Sequence, residues 1–225
     1  MIIAIDGPSG AGKSTLSRLL ARELGLLYVD TGSMYRAAAL AVIEARANTN
    51  DTDAVMRVVS RAEIQLSGDP DSLQVRLDGR DVSEDIRSEQ VTHVSSVIST
   101  IPEVRRDLVR RQRELGAQGG VVMNGRDTGT VIFPEADVKF FLTARPEERA
   151  RRRFDEERRR EQTLSYEETL ADINTRDRRD STRADSPLAI ADDAVVLDTT
   201  EFSVEEVFRR MLEVVREREA GRGGP

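Results

Sequence analysis

Eight consecutive residues near the start of the chain have the types and the order needed to hold a polyphosphate. Gly7-Pro8-Ser9-Gly10-Ala11-Gly12-Lys13-Ser14 fits the pattern G-x-x-x-x-G-K-[ST] in full. Glycines let successive backbone N–H groups converge on one phosphate where a Cβ would clash. A helix that begins at such a turn directs its positive end at the same anion. Lys13 adds a point charge that can follow a phosphoryl group into the transition state. The Ser14 hydroxyl is suited to the Mg²⁺ that accompanies a nucleoside triphosphate, and Thr15 closes the expected triphosphate-binding run of Gly7 to Thr15. The chain has only two lysines, Lys13 and Lys139, against 32 arginines, and one of the two stands at this position.

The flanking residues supply the context that such a loop requires. Ile2–Ile5 is a short apolar run that reads as a buried parallel strand. After the loop, Leu16, Leu19, Leu20 and Leu24 recur at helical spacing, and Gly25 is placed to end that helix. Four more apolar runs follow: Leu26–Val29, Gly120–Met123, Val138–Leu142 and Ala194–Leu197. Each ends in polar or glycine residues. Five such strands separated by helical patterns predict a P-loop NTPase fold of the α/β class, with a five-stranded parallel sheet and flanking helices. Ligands bind such sheets at the carboxyl ends of the strands. Between Ala62 and Val82 the period changes to alternation, with turn residues at 68–71 and 78–80. A small antiparallel β insertion is expected there. Helices are expected within 83–115, over 146–160 and over 204–218, with Thr100 and Pro102 as a helix-start signal. Gly221 to Pro225 reads as a disordered tail.

Composition narrows the function. The chain has 225 residues, no cysteine and a net charge of −7. Disulfide scaffolds, thiolate zinc sites and cysteine nucleophiles are excluded. A duplex-coating protein carries the opposite charge balance, and nine aromatic residues with no tryptophan argue against stacking on single strands. No nucleic-acid partner is therefore expected. No apolar run approaches a membrane span and no basic leader precedes Ile2, so a cytoplasmic protein without a membrane partner is expected. His93 is the single histidine and reads as a helix-surface or packing residue.

P-loops serve GTPases, motor ATPases and small-molecule kinases. No N-K-x-D guanine reader is present, and Asp30-Thr31-Gly32-Ser33 lacks the D-x-x-G spacing of a γ-phosphate switch. A small-molecule kinase suits the size. Six ordered stretches then make the chain resemble the bacterial cytidylate kinase family: Ile5–Thr15, Asp30–Arg36, Asp81–Arg87, Pro102–Arg113, Asn124–Pro134 and Arg176–Pro187. The resemblance runs from Ile2 to about Val215. It implies ATP as co-substrate with Mg²⁺, nucleotides as the partners, and CMP or dCMP as acceptor. Thr31 and Arg36 would bind on the acceptor side, with Arg36 and Arg126 on the CMP phosphate. Ser96, Arg105 and Asp127 would read the cytosine ring. Asp180 would reach the ribose, and Arg183 would bridge sugar and phosphate. Arg176 would close over the transferring group, so that Lys13, Arg126, Arg176 and Arg183 form the catalytic set, with Ser14 as the protein's metal ligand. The family usually carries an acid where Asn124 stands; asparagine keeps the acceptor and loses the charge, so no direct metal role is expected at 124. The resemblance also divides the chain into a core (1–35, 84–145, 185–219), a monophosphate-binding insertion (about 36–83), a lid (about 146–184) and the tail 220–225. A monomer is expected.

Independent chemistry agrees with several of these roles. Cytosine presents an amino donor that uracil lacks, and a carboxylate such as Asp127 can accept from it. The nucleophile is a phosphate oxygen, largely deprotonated above its second pKa of about 6, so no catalytic base is needed. The seven arginines between 149 and 160 are expected mainly in exposed pairs with neighbouring acids. A kinase for UMP or another small phosphate acceptor, or a non-catalytic nucleotide-binding regulator, is the competing reading.

Overall fold

The computed structural model describes residues 1–158 and 165–222. Five parallel strands form the main sheet in the order β2 (Leu27–Asp30), β6 (Val121–Asn124), β1 (Ile2–Asp6), β7 (Val138–Thr143) and β8 (Val195–Asp198). The central strands are mainly apolar because helices cover both of their faces. Ile3, Ala4, Ile5, Val121, Val122 and Met123 have no exposed surface. Strands β2, β6 and β8 begin one residue later than their apolar runs suggest. Pairing sets the difference: Asp30 lies opposite Asn124 in register, and Asp198 opposite Thr143. The polar residues that close each run thus line up along the carboxyl edge.

One face of the sheet packs against α1 (Lys13–Leu24) and α8 (Val204–Arg222), where Leu16, Leu20, Val207, Met211 and Val215 meet Ile3, Ile5 and Phe140. On the other, Val109 of α5 (Pro102–Gly116) joins Val29, Met123 and Ile132. A further apolar cluster holds α2 (Thr31–Glu44), α3 (Thr52–Val59) and α4 (Glu89–Ile98) to a three-stranded antiparallel sheet of β3 (Ile64–Ser67), β4 (Gln74–Leu77) and β5 (Arg80–Asp81). In β4, Val75 and Leu77 are buried while Gln74 and Arg76 face water. The turn into β5 places Asp78 and Gly79 at φ 50° and 80°, the left-handed pair that a tight hairpin needs.

The helical stretch 83–115 divides into a 3₁₀ turn (Asp85–Arg87), α4 and α5. Pro102 sits at the first turn of α5, where its missing N–H costs nothing. Helix α6 covers Pro146–Arg158; Arg159 and Arg160, expected in the same helix, lie outside the described residues. Helix α7 (Tyr166–Thr182) was not expected, since its fully buried residues are only Thr169, Ile173 and Asp180. Its start is nevertheless encoded as a capping box: the Ser165 hydroxyl accepts from the Glu168 N–H while the Glu168 carboxylate accepts from the Ser165 N–H. Residues 220–222 of the expected tail continue α8, and 223–225 lie outside the described residues.

Candidate active site

The phosphate-binding loop joins β1 to α1 at the middle of the sheet. Gly7 has φ 144°, and a Cβ there would lie 2.0 Å from the Leu142 carbonyl oxygen. Gly12 caps α1 at φ 88°. Gly10, at φ 78°, lies against the backbone of Arg149 on α6, which leaves no room for a side chain. Gly7 and Gly10 are therefore required by different neighbours, and Gly12 by the left-handed turn that caps α1. Lys13 is buried, and its ammonium donates to the Pro8 carbonyl at 2.7 Å. Burial, reinforced by the nearby Arg126 charge, drives its pKa well below the ordinary 10.5. Asp30, Asp6 and Asp180 oppose that effect. A bound polyphosphate would restore the ammonium strongly.

Opposite this loop, α2 begins at the end of β2. The Asp30 side chain caps it by accepting from the Gly32 N–H at 3.0 Å, and takes the Ser33 hydroxyl at 2.8 Å and the Arg36 guanidinium at 3.0 Å. Burial raises the Asp30 pKa, but Arg36, Ser33 and Gly32 outweigh it and hold the carboxyl below 3.8. The Thr31 hydroxyl donates to the Asn124 carbonyl at 2.9 Å, which ties α2 to β6.

The loop after β6 carries Arg126 and Asp127. Arg126 donates to the Asp180 carboxylate of α7 at 2.7 Å. Asp127 receives Arg105 from α5 and lies 3.9 Å from the Arg183 guanidinium. Arg183 also lies 3.5 Å from Asp180 and donates to the Ser186 carbonyl at 2.6 Å. Arg105 is almost wholly buried, with its guanidinium 5.6 Å from the centre of the Tyr35 ring. Burial raises the Asp180 carboxyl, yet Arg126, Arg183 and Arg176 hold it below 3.8. Arg176 is itself depressed, by burial first and then by the like charges of Arg153 and Arg126. Guanidinium groups crowded this way mark a place for an anion. Ser96 on α4 accepts from Arg179 at 2.6 Å, and Arg176 donates to the Thr92 carbonyl at 3.1 Å.

A single cleft of about 1640 Å³ is lined by Ser9 to Thr15, Thr31, Arg36, Ser96, Arg105, Arg126, Asp127, Arg176, Asp180 and Arg183. Of the residues singled out from the sequence, only Gly7 and Pro8 stand behind its surface, shaping the loop from below. A smaller cavity of about 510 Å³ lies on the far side of α5. It shares only Arg105 with the cleft, and its Arg106 and Arg110 are exposed and paired with Asp185, Asp107 and Glu114.

Several contributors escaped the sequence reading. Tyr35, Asp30, Arg152 and Arg153 also line the cleft. Arg152 donates to the Thr199 hydroxyl and carbonyl at 2.9 and 2.6 Å. Arg149 is buried and joins three segments: it donates to the Ala144 and Ser9 carbonyls at 2.9 and 3.1 Å and to Asp177 of α7 at 2.6 Å. The one available signal was at Asp30, an N-cap residue type immediately before a helical pattern.

Toward Mg²⁺, the described residues contain no group of three or more histidine, aspartate or glutamate side chains able to cage an ion. They do contain a weaker, suitable arrangement. The Asn124 side-chain nitrogen donates to the Ser14 hydroxyl at 3.4 Å, and its buried side-chain oxygen Oδ1 has no partner. Mg²⁺ held mainly by phosphates and water asks for no more than this from the protein.

Residues 3–217 match the family model for cytidylate kinase. A cytidylate kinase from Caldanaerobacter subterraneus subsp. tengcongensis is 47% identical over 97% of this chain and 96% of its own. One from Solibacter usitatus is 47% identical over 97% and 93%. A crystal structure of an uncharacterized protein from Eubacterium ventriosum shares the fold, with a TM-score of 0.50, 11% identity, and coverage of 96% of this chain and 98% of that one. With nearly its whole length matched, the chain belongs to the cytidylate kinase family.

Proposed function

We propose that this chain transfers the γ-phosphoryl group of ATP to CMP or dCMP, giving ADP and CDP or dCDP. One observation carries the reading: the phosphate-binding loop and a ring of arginines from four other segments face each other across one cleft. A phosphate oxygen of the acceptor attacks the γ-phosphorus, the bond from that phosphorus to the β–γ bridging oxygen breaks, and ADP leaves. No proton need be removed from the acceptor. Catalysis is positioning and charge neutralisation.

In this reading the amides from Ser9 to Thr15 hold the triphosphate and Lys13 follows its γ-phosphoryl group. Arg36 and Arg126 take the acceptor phosphate. Both are already engaged by carboxylates, Asp30 and Asp180, so they are aimed before the substrate arrives. Asp127, fixed by Arg105, accepts from the cytosine amino group, with Ser96 at the edge of the base. Asp180 and Arg183 meet the ribose, and Arg176 closes on the transferring group. Ser14 would hold Mg²⁺, with the side-chain oxygen of Asn124 beside it; the ion would neutralise charge developing on the phosphates.

The segment around 36–83 is read as the acceptor-binding insertion and 146–184 as a lid. Arg149 would hinge that lid on the phosphate-binding loop. No helix among the described residues is long and apolar enough to cross a membrane. A cytoplasmic monomer that does not bind nucleic acid is the accompanying proposal. The test is ADP formation with CMP, dCMP, UMP and AMP. CMP and dCMP should exceed UMP by roughly tenfold or more, the cost of leaving a buried acceptor unpaired. Equal turnover of UMP would defeat the assignment of the base-reading residues.

A further inference from the structure

Asp6 ends β1 and directly precedes Gly7, yet it does not itself line the cleft. It accepts from the Thr128 N–H at 2.8 Å and from the Gly129 N–H at 2.7 Å. Two and three residues upstream of that pair the chain carries Arg126 and Gly125, and the Gly125 N–H donates to the Ile5 carbonyl at 3.0 Å. Three hydrogen bonds thus pin the segment 125–129 onto the last two residues of β1. Arg126 and Asp127, the proposed phosphate and base readers, lie between the pins. Asp6 is 4% exposed, so water cannot substitute for either bond.

We infer that Asp6 is a positioning residue that sets the acceptor-binding loop against the phosphate-binding loop, and thereby the distance between the two reacting phosphates. The inference rests on the kinase reading above. Its physical basis is that one carboxylate, placed at the root of the donor loop, uses both oxygens on the acceptor loop. Charge-assisted bonds of this kind are roughly twice as strong as neutral ones. A loop so held has little freedom to drift, and small misplacements are costly in phosphoryl transfer.

The same carboxyl is tuned to an unusual degree. Burial lifts its pKa from 3.8 to about 6, against the lowering effect of the Gly129 and Thr128 N–H bonds, and the neighbouring Asp127 charge adds to the rise. The charged groups around it are Asp127 from the acceptor loop, Lys13 from α1, and Lys139 from β7. The Lys139 stem borders Gly129, but its ammonium is turned to the Pro134 carbonyl and to Asp193. Protonation in mildly acid solution removes an acceptor from one of the two pins and a supporting charge from Lys13.

Two measurements test this. In nucleotide-free wild-type protein, the amide signals of Thr128 and Gly129 should shift together with pH, with a midpoint near 6. In Asp6→Asn, the carboxamide leaves one of those N–H groups facing an NH₂. The KM for CMP should rise about tenfold or more while the KM for ATP changes by about twofold or less. Amides that do not titrate, or equal rises in both constants, would overturn the inference. Should the variant fail to fold, the wild-type titration decides alone. Failure of the wild type to phosphorylate CMP would instead sink the kinase reading while leaving the titration in place.

Discussion

The two walls of the cleft are built by opposite means. The proposed donor wall is backbone: one octapeptide whose Gly7 and Gly10 are wedged against Leu142 of β7 and Arg149 of α6, with a single cation, Lys13, satisfied by a carbonyl of its own loop. The acceptor wall is side chain: guanidinium and carboxylate groups from α2, α5, the loop after β6 and α7, each already paired with another. A backbone site presents its N–H groups whether or not ligand is bound. A site made of mutually paired charges must exchange partners when a phosphate enters. It therefore gains in selectivity what it gives up in raw affinity, because buried charges left unpaired by a wrong ligand are expensive. The difference makes the two walls separable by mutation.

The largest effect is expected on the donor wall. Lys13→Ala should lower kcat by about a thousandfold or more while leaving the melting temperature nearly unchanged, since only one side-chain bond is lost. Near-normal turnover in steady-state assays would mean that the charge beside the loop is not used in the reaction. On the acceptor wall, Arg126→Ala should raise the KM for CMP by about 10- to 100-fold and leave the KM for ATP almost unmoved. Matching changes in both constants would erase the proposed separation of the walls. Asp127→Asn should bring the CMP-to-UMP ratio of kcat/KM down by roughly tenfold. It should also cost stability in urea unfolding, by up to about 3 kcal/mol, because Arg105 stays buried without its ion-pair partner.

The smallest effect sharpens the contrast through pH. Arg36, with Ser33 and Gly32, holds the partly buried Asp30 carboxyl below 3.8. A carboxyl depressed on folding contributes stability that is present above 3.8 and is lost as pH falls through its folded value. In Arg36→Ala, burial then dominates and the carboxyl moves up. Wild type and variant should therefore differ by about 1–2 kcal/mol at neutral pH and converge in acid. A gap in unfolding free energy that stays constant or widens on acidification would show that Asp30 does not depend on Arg36.

The same division explains what the sequence alone makes legible. The donor wall was legible because its chemistry is contiguous: glycine positions, a lysine and a hydroxyl in a strand–turn–helix context. The parallel strands were legible because each leaves a short apolar run closed by polar residues, even the edge strands β2 and β8, where Leu27 and Val196 face water. The acceptor wall could be anticipated only through ordered stretches shared with a family, since nothing in local spacing says that residues 36, 105, 126 and 180 meet. Helix α7 escaped because its inward face is mostly polar; it packs through Thr169, Ile173 and ion pairs, and periodicity registers only apolar groups. Arg149 escaped for a related reason. In sequence it resembles Arg151, but α6 lies against Gly10, so Arg149 is 3% exposed and spans three segments while Arg151 pairs with Glu148 at the surface. Burial of a charge is decided by a contact some 140 residues away in the chain.

The most direct measurement is a crystal structure with CMP and a non-hydrolysable ATP analogue bound together. The phosphates of the analogue should lie on the amides from Gly10 to Ser14. The CMP phosphate should sit between the guanidinium groups of Arg36 and Arg126, and the cytosine amino group on Asp127. Cytidine monophosphate bound away from those arginines, or with its base turned from Asp127, would contradict the account.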